Sequence, residues 1–281
     1  MVIDFHTHTF PEKIANAALN KLSDSSGISY YLDGTLKGLI ESMQKSGVTH
    51  SVVLPVVTNP AQFEAINTTA IKINEKYADD GIISFGGIHP DNDNYREKIK
   101  WLSNNGFKGL KFHPVFQETF FDDIKYKRII DCACEHGLIM VVHGGFDISF
   151  PEDDYVTPRH ILPVLEELKP KNLIFAHMGA WNCWDEMIPI LSEYKVKMDT
   201  SFSITPSRDN KTGEFDTNCP VLPKDDFVKM VRLTGAKNVV FGSDSPWTMH
   251  TESIEAIKNS GLTADEQELI LYKNAKRLLG I

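Results

Sequence analysis

The feature that most constrains this 281-residue chain is an alternation repeated eight times. Short runs rich in Val, Ile and Phe, of strand length, are each followed by a longer stretch of helical period. The strands read Val2–His8, Thr49–Leu54, Ile82–His89, Phe107–His113, Leu138–His143, Asn172–His177, Val196–Thr200 and Asn238–Asp244. Helices read Leu36–Lys45, Ala61–Tyr77, Tyr95–Asn104, Asp122–Glu135, Pro158–Leu168, Trp181–Glu193 and Lys224–Thr234, with Thr251–Asn259 and Ala264–Leu279 after the last strand. The punctuation agrees. Gly47, Gly106, Gly137 and Gly235 stand where helices end, and Thr263 precedes Glu266 by the spacing of a capping box. Strand–helix alternation means parallel pairing with crossover helices. Eight such units in this length predict one α/β domain over residues 1–281, a (β/α)8 TIM-like barrel. A doubly wound open sheet competes, but its Gly-rich phosphate turn after the first strand is replaced here by His-Thr-His.

A barrel brings the C-terminal ends of its strands to one rim, and the polar residues fall there. The chain opens MVIDFHTHTF, in which Asp4, His6 and His8 share one parity and so one face of a strand. A core would put Leu or Val at those positions. His89, His113, His143, His177 and Asp244 end the third, fourth, fifth, sixth and eighth strands. His50 and His136 fall at the opposite ends, and His160 and His250 follow neither rule. One histidine at a strand end is ordinarily a hydrogen-bonded core or surface residue. Several imidazoles and a carboxylate on one rim are the donor set of a divalent metal. Lys111 shares the parity of His113 and should point inward. Three long connections, Phe10–Thr35, Gly144–Thr157 and Ser201–Pro223, lie on the same rim, and the first holds a helix-like PEKIANAALNKL. Trp181, Trp184 and Trp247 follow site strands; an aromatic wall and ordinary helix packing explain the first two nearly equally.

Charge narrows the partners. The net charge is −9 with no Lys/Arg-rich run, which disfavours nucleic acid. No apolar run reaches the roughly 18 residues of a membrane span. The N-terminus lacks the basic-then-apolar pattern of a secretory leader, so the expectation is a cytoplasmic protein acting on a small molecule. Cys132, Cys134, Cys183 and Cys219 have neither zinc-finger spacing nor disulfide density, and read as reduced thiols. A homodimer is the default assembly.

DFHTH, GLKFHP, VVHGG, AHMGA and GSDSPW, in that order, resemble the amidohydrolase superfamily of metal-dependent hydrolases. More narrowly they resemble the amidohydrolase-related branch that contains aminocarboxymuconate semialdehyde decarboxylase, as does the closing ILYKNAKRLLGI. The resemblance runs from residue 3 to the end. It implies a distorted (β/α)8 barrel with one divalent ion, zinc by expectation, with manganese, iron or cobalt suiting the same donors. His6 and His8 match the first-strand ligands, His143 the fifth-strand ligand, and Asp244 the eighth-strand carboxylate. In such enzymes that carboxylate both touches the metal and moves the proton of the attacking water. His177 matches a sixth-strand histidine that polarises substrate or orients water. In some members a fourth-strand lysine is carboxylated and bridges two metals. GLKFHP resembles the mononuclear branch, where Lys111 would instead face an anionic substrate or the ligand carboxylates. His113, His89, Trp247 and Arg208 are further candidate substrate residues, and Asp4 a support behind the ligands.

The activity implied is hydrolysis of a small ester, lactone or amide. Non-oxidative decarboxylation of an aromatic or muconate-type acid is the alternative. Metal-dependent deoxyribonucleases share DxHxH and GIHP patterns, but they carry a bridging glutamate where this chain has Lys111 and His113. A barrel that binds metal without turnover would have lost a ligand, and none of the expected set is missing.

Overall fold

The computed structural model describes all 281 residues. The strands are β1 Ile3–Thr7, β2 His50–Val53, β3 Ile82–Ser84, β4 Gly86–Gly87, β5 Gly109–Phe112, β6 Ile139–Val142, β7 Leu173–Phe175, β8 Lys197–Asp199 and β9 Val239–Val240. All eight expected strands are present, the third as two pieces. By its internal contacts the chain divides into a terminal unit, Met1–Val53 with Asp199–Ile281, and a central unit, Leu54–Met198.

In the terminal unit β1 pairs parallel to β2, with Ile3 opposite His50 and Thr7 opposite Val53. On its other side β1 meets the segment that continues β9. Phe5 N–H bonds the Phe241 carbonyl at 2.7 Å, Asp244 N–H the His6 carbonyl at 2.9 Å, and His8 N–H the Ser245 carbonyl at 2.7 Å. Thr200, just beyond β8, donates to Val240 at 3.2 Å. β1 is therefore a central strand, and all five of its residues are buried. Helix Glu12–Ser26 occupies the first long connection and runs four residues past the expected PEKIANAALNKL. Helix Leu36–Ser46 is capped by the Thr35 hydroxyl, which accepts from Gly38 N–H. The Thr263–Glu266 capping box forms, and the closing helix carries a π turn at Leu269–Lys273.

The central unit holds β4, β5, β6, β7 and Lys197–Met198 of β8 in consecutive parallel register. β6, Ile139–Val142, is buried at every position, the all-apolar pattern of a parallel strand covered on both faces. Each such Val or Ile contributes about 1.5–3 kcal/mol of burial. The expected third strand is in two pieces, and helix side chains meet the backbone groups on either side of the break. Asn74 accepts from Ser84 N–H at 2.6 Å and donates to the Ser84 carbonyl at 2.9 Å. Asn67 makes the same two bonds to Gly87, each at 2.9 Å. The two amides stand seven residues apart on one face of helix Phe63–Lys76 and act as stand-in strand partners.

The Ser201–Pro223 connection contains no helix. Isolated bridges Ile28–Asp209 and Arg208–Phe215 tie it down. The four cysteines are free; Cys132, Cys183 and Cys219 are buried. No helix is long and apolar enough to cross a membrane.

Candidate metal centre and active-site residues

In the terminal unit β1 delivers His6 and His8, and the turn after β9 delivers Asp244. Their ligand atoms form a nearly equilateral triangle. His6 Nε2 lies 3.1 Å from His8 Nε2, and Asp244 Oδ1 lies 3.3 Å from each. The neighbours of His6 settle its tautomer. Nδ1 stands 2.7 Å from Asp199 Oδ2 and 3.0 Å from Ser201 Oγ. A carboxylate only accepts, so the ring proton sits on Nδ1 and Nε2 presents a lone pair. That lone pair faces a second imidazole nitrogen and a carboxylate oxygen. Such a convergence is repulsive unless a proton or a cation sits within it.

The donor set therefore fits a metal ion, and so does its spacing. Tetrahedral ligands about 2.0–2.1 Å from zinc stand about 3.3–3.4 Å apart, against the 3.1–3.3 Å seen here. Asp199, fully buried, completes a carboxylate–histidine arrangement of the kind that orients metal-binding imidazoles. Asp199 lies within the expected strand Val196–Thr200 and is not among the candidates named from the sequence. Its signal was the one used for the histidines, a polar residue closing a strand.

The backbone is shaped to the site. Asp244 holds φ +68°, a left-handed conformation uncommon outside glycine. A Cβ at Gly242 would lie 2.9 Å from His6 Cβ, so only glycine allows this approach.

In the central unit the ends of β5, β6 and β7 supply His113, His143 and His177. His143 Nδ1 lies 3.1 Å from His177 Nε2. His143 Nε2 lies 3.1 Å from the Phe146 carbonyl, an acceptor, which places the ring proton on Nε2 and leaves Nδ1 as the ligand-type nitrogen. His113 stacks on His143 at 4.2 Å between ring centroids and on Phe116 at 4.0 Å. Its Nε2 is 3.5 Å from Asp147 Oδ2. His113, His143 and Asp147 form a second buried group with metal-ligand atoms. His177 takes φ +60°, and its carbonyl accepts from Trp184 Nε1 at 3.0 Å. Trp184 thus props the His177 turn.

Lys111 lies within β5 and is 1% exposed, in a strand whose four residues are all buried. His89 is buried, and burial pushes its imidazole below the usual range, with Asp91 pulling the other way. Trp247 is half-buried and meets Tyr30 edge-on at 6.5 Å. Arg208 lies over the Phe215 ring at 4.1 Å and donates to the Gly213 carbonyl at 3.1 Å, holding its own loop. Asp4 is fully buried; it accepts from the N–H groups of His6 and Ser243, both at 3.0 Å.

Comparison with known proteins covers the whole chain. The amidohydrolase family profile matches residues 3–281. A search of curated protein sequences found no match. Solved structures that superpose include 5-carboxyvanillate decarboxylase of Sphingomonas paucimobilis. It is 13% identical, with 100% of this chain and 99% of that one covered, at a TM-score of 0.70. An uncharacterised TIM-barrel protein of Bordetella bronchiseptica is 16% identical, covering 99% and 98%, at 0.77. A probable 2-pyrone-4,6-dicarboxylic acid hydrolase of Acinetobacter baumannii is 16% identical, covering 100% and 99%, at 0.67. At such identities the likeness is one of fold, an α/β barrel of TIM type.

Proposed function

This chain belongs to the amidohydrolase family, and from that premise we propose that it is a metal-dependent hydrolase of a small ester, lactone or amide. The observation that carries the reading is the lone-pair triangle of His6 Nε2, His8 Nε2 and Asp244 Oδ1, backed by Asp199. These residues would hold one divalent ion, zinc as the sequence resemblance implies, with manganese, iron and cobalt accepting the same donors. Such an ion supplies Lewis acidity and makes water a nucleophile near neutral pH.

The protein's own groups do the rest. Asp199 keeps the His6 proton on Nδ1. The Asp244 carboxylate takes the proton of the attacking water and returns it to the leaving group. His177 orients the substrate carbonyl. His143 is proposed as a further ligand on the strength of the sequence resemblance. Lys111 is proposed to face a substrate carboxylate, with His113, His89, Trp247 and Arg208 as further substrate contacts. The working assembly is a cytoplasmic homodimer of single-domain chains.

Among the solved neighbours, the S. paucimobilis protein is named for decarboxylation and the A. baumannii protein for hydrolysis of a pyrone dicarboxylic acid. A decarboxylase must hold the carboxylate it removes, whereas hydrolysis of an ester, lactone or amide has no such requirement. The chain offers one buried cation in β5 and an arginine already engaged by its own loop, which favours hydrolysis.

Elemental analysis of tag-free protein, wild type against His6→Ala/His8→Ala, tests the reading. One ion per chain, lost in the variant, is the expected result. Lactones, esters and aromatic acids would then be screened; acid release without carbon dioxide supports hydrolysis, and carbon dioxide release supports decarboxylation instead. No ion in well-folded protein after incubation with zinc or manganese refutes both.

A further inference from the structure

We propose that Asp4 and His250 are positioning residues that set the spacing between the His6 and Asp244 ligand atoms, an inference that rests on the metal reading above. A single carboxylate ties together the two segments that carry those atoms. Asp4 Oδ1 accepts the N–H of His6 and the N–H of Ser243, each at 3.0 Å. Asp4 Oδ2 accepts the Ser243 hydroxyl and lies 3.1 Å from His250 Nε2. His6 is itself a proposed ligand, and Ser243 immediately precedes Asp244. His250 is anchored in turn from the other side, with Nδ1 2.7 Å from Ser42 Oγ on helix Leu36–Ser46.

The network is dry, and its one unpaired polar atom, His250 Nε2, sits at ion-pair distance from Asp4 without a hydrogen bond's alignment. Asp4 and Ser243 are 0% exposed, His250 1% and Ser42 8%. A buried carboxylate persists only when its lone pairs are met by donors, and here three hydrogen bonds and an imidazole nitrogen meet them. The turn it holds needs holding, because Asp244 sits at φ +68°. Further tethers converge on it. Ser245 N–H bonds Ser243 Oγ at 3.0 Å, Thr248 Oγ1 donates to the Ser243 carbonyl, and Asp244 N–H bonds the His6 carbonyl at 2.9 Å. If Asp4 lets go, the ligand triangle loses one of the links between its first-strand and last-strand corners. The consequence falls on metal affinity rather than on any contact with substrate.

The test compares zinc dissociation constants, by competition with a chromophoric chelator at fixed pH, alongside urea unfolding of the metal-free proteins. The variants are Asp4→Asn, Ser243→Ala and His250→Asn, with Tyr126→Phe as a control that removes a buried hydroxyl donating to Gln117 Oε1 at 2.6 Å in the central unit. Each variant of the network should bind zinc about 10- to 100-fold more weakly. Tyr126→Phe should lower the unfolding midpoint while changing the constant by less than about threefold. Ser243→Ala removes one hydroxyl and leaves no large void, so the test stands even if Asp4→Asn does not fold. Ser243→Ala and His250→Asn proteins that bind zinc like the wild type would overturn the inference. So would an equal loss in Tyr126→Phe, which would mark general loosening. A folded wild type that binds no zinc would overturn the metal reading and this inference together, whereas wild-type binding with unaffected variants removes the inference alone.

Discussion

Asp199→Asn is the sharpest single perturbation of the site. The side chain loses a charge and almost no volume, so packing is preserved. In the wild type Oδ2 faces His6 Nδ1 at 2.7 Å, while Oδ1 accepts from Ser201 N–H at 3.0 Å and from the Ser201 hydroxyl. Both oxygens therefore face donors, and an asparagine can satisfy only one side. If its oxygen faces His6, its amide N–H2 meets Ser201 N–H, donor against donor, in a fully buried place. If it flips, the amide donates to Nδ1, the His6 proton moves to Nε2, and the lone pair aimed at His8 and Asp244 is gone. The first arrangement costs about 1–3 kcal/mol for a buried unsatisfied donor. The second removes a metal ligand. In both arrangements the carboxylate charge that raises the basicity of His6 Nε2 is gone, so a metal-affinity loss of about 10- to 100-fold, or about 1.4–2.7 kcal/mol, follows. Chelator competition measures it directly, and near-ultraviolet circular dichroism checks that the apo fold is intact. A folded Asp199→Asn protein with wild-type zinc affinity would refute the tautomer argument.

Three further outcomes are expected. Gly242→Ala places a methyl 2.9 Å from His6 Cβ and 3.2 Å from Ser201 Cβ, so it should lower stability by about 1–3 kcal/mol, read as a drop in urea midpoint with unchanged slope. Burial raises all four cysteine thiols above their ordinary value, Cys183 to about 12; native protein at pH 8 should therefore react with a thiol-exchange chromophore at no more than the half-buried Cys134, and at all four sites once denatured. Burial also lowers His89 and His50 below the ordinary imidazole range. The unfolded chain then binds protons that the folded chain refuses, so the stability of metal-free protein should fall as pH drops below about 6.5. Urea midpoints at pH 7.5 and 5.5 measure the slope, and His89→Gln should flatten it; an unchanged slope would show that His89 is not the group responsible.

Much of this architecture was legible without coordinates because it is written in local periodicity. A strand buried on both faces needs runs such as Ile139–Val142, and a crossover helix needs its own period. The split of the third strand was not legible. The amides that meet its backbone, Asn67 and Asn74, sit on a helix, and a helix-face asparagine reads as solvated until its partner is known. The closing helix was legible as one stretch, but its π turn was not, since nothing in LILYK distinguishes that turn from a helical one.

The candidate site divides the same way. That Asp4, His6 and His8 share a face follows from the parity of an extended chain, and that histidines close the strands follows from where the apolar runs end. Sequence by itself therefore determined which side chains are available for chemistry. Only the tertiary structure decided what each one does. Asp199 became the partner that sets the His6 tautomer, His250 became the brace behind Asp4, and Arg208 spent its charge on Phe215. Periodicity is a property of neighbours along the chain, whereas tautomer, desolvation and ligand spacing belong to groups that meet only when distant segments pack.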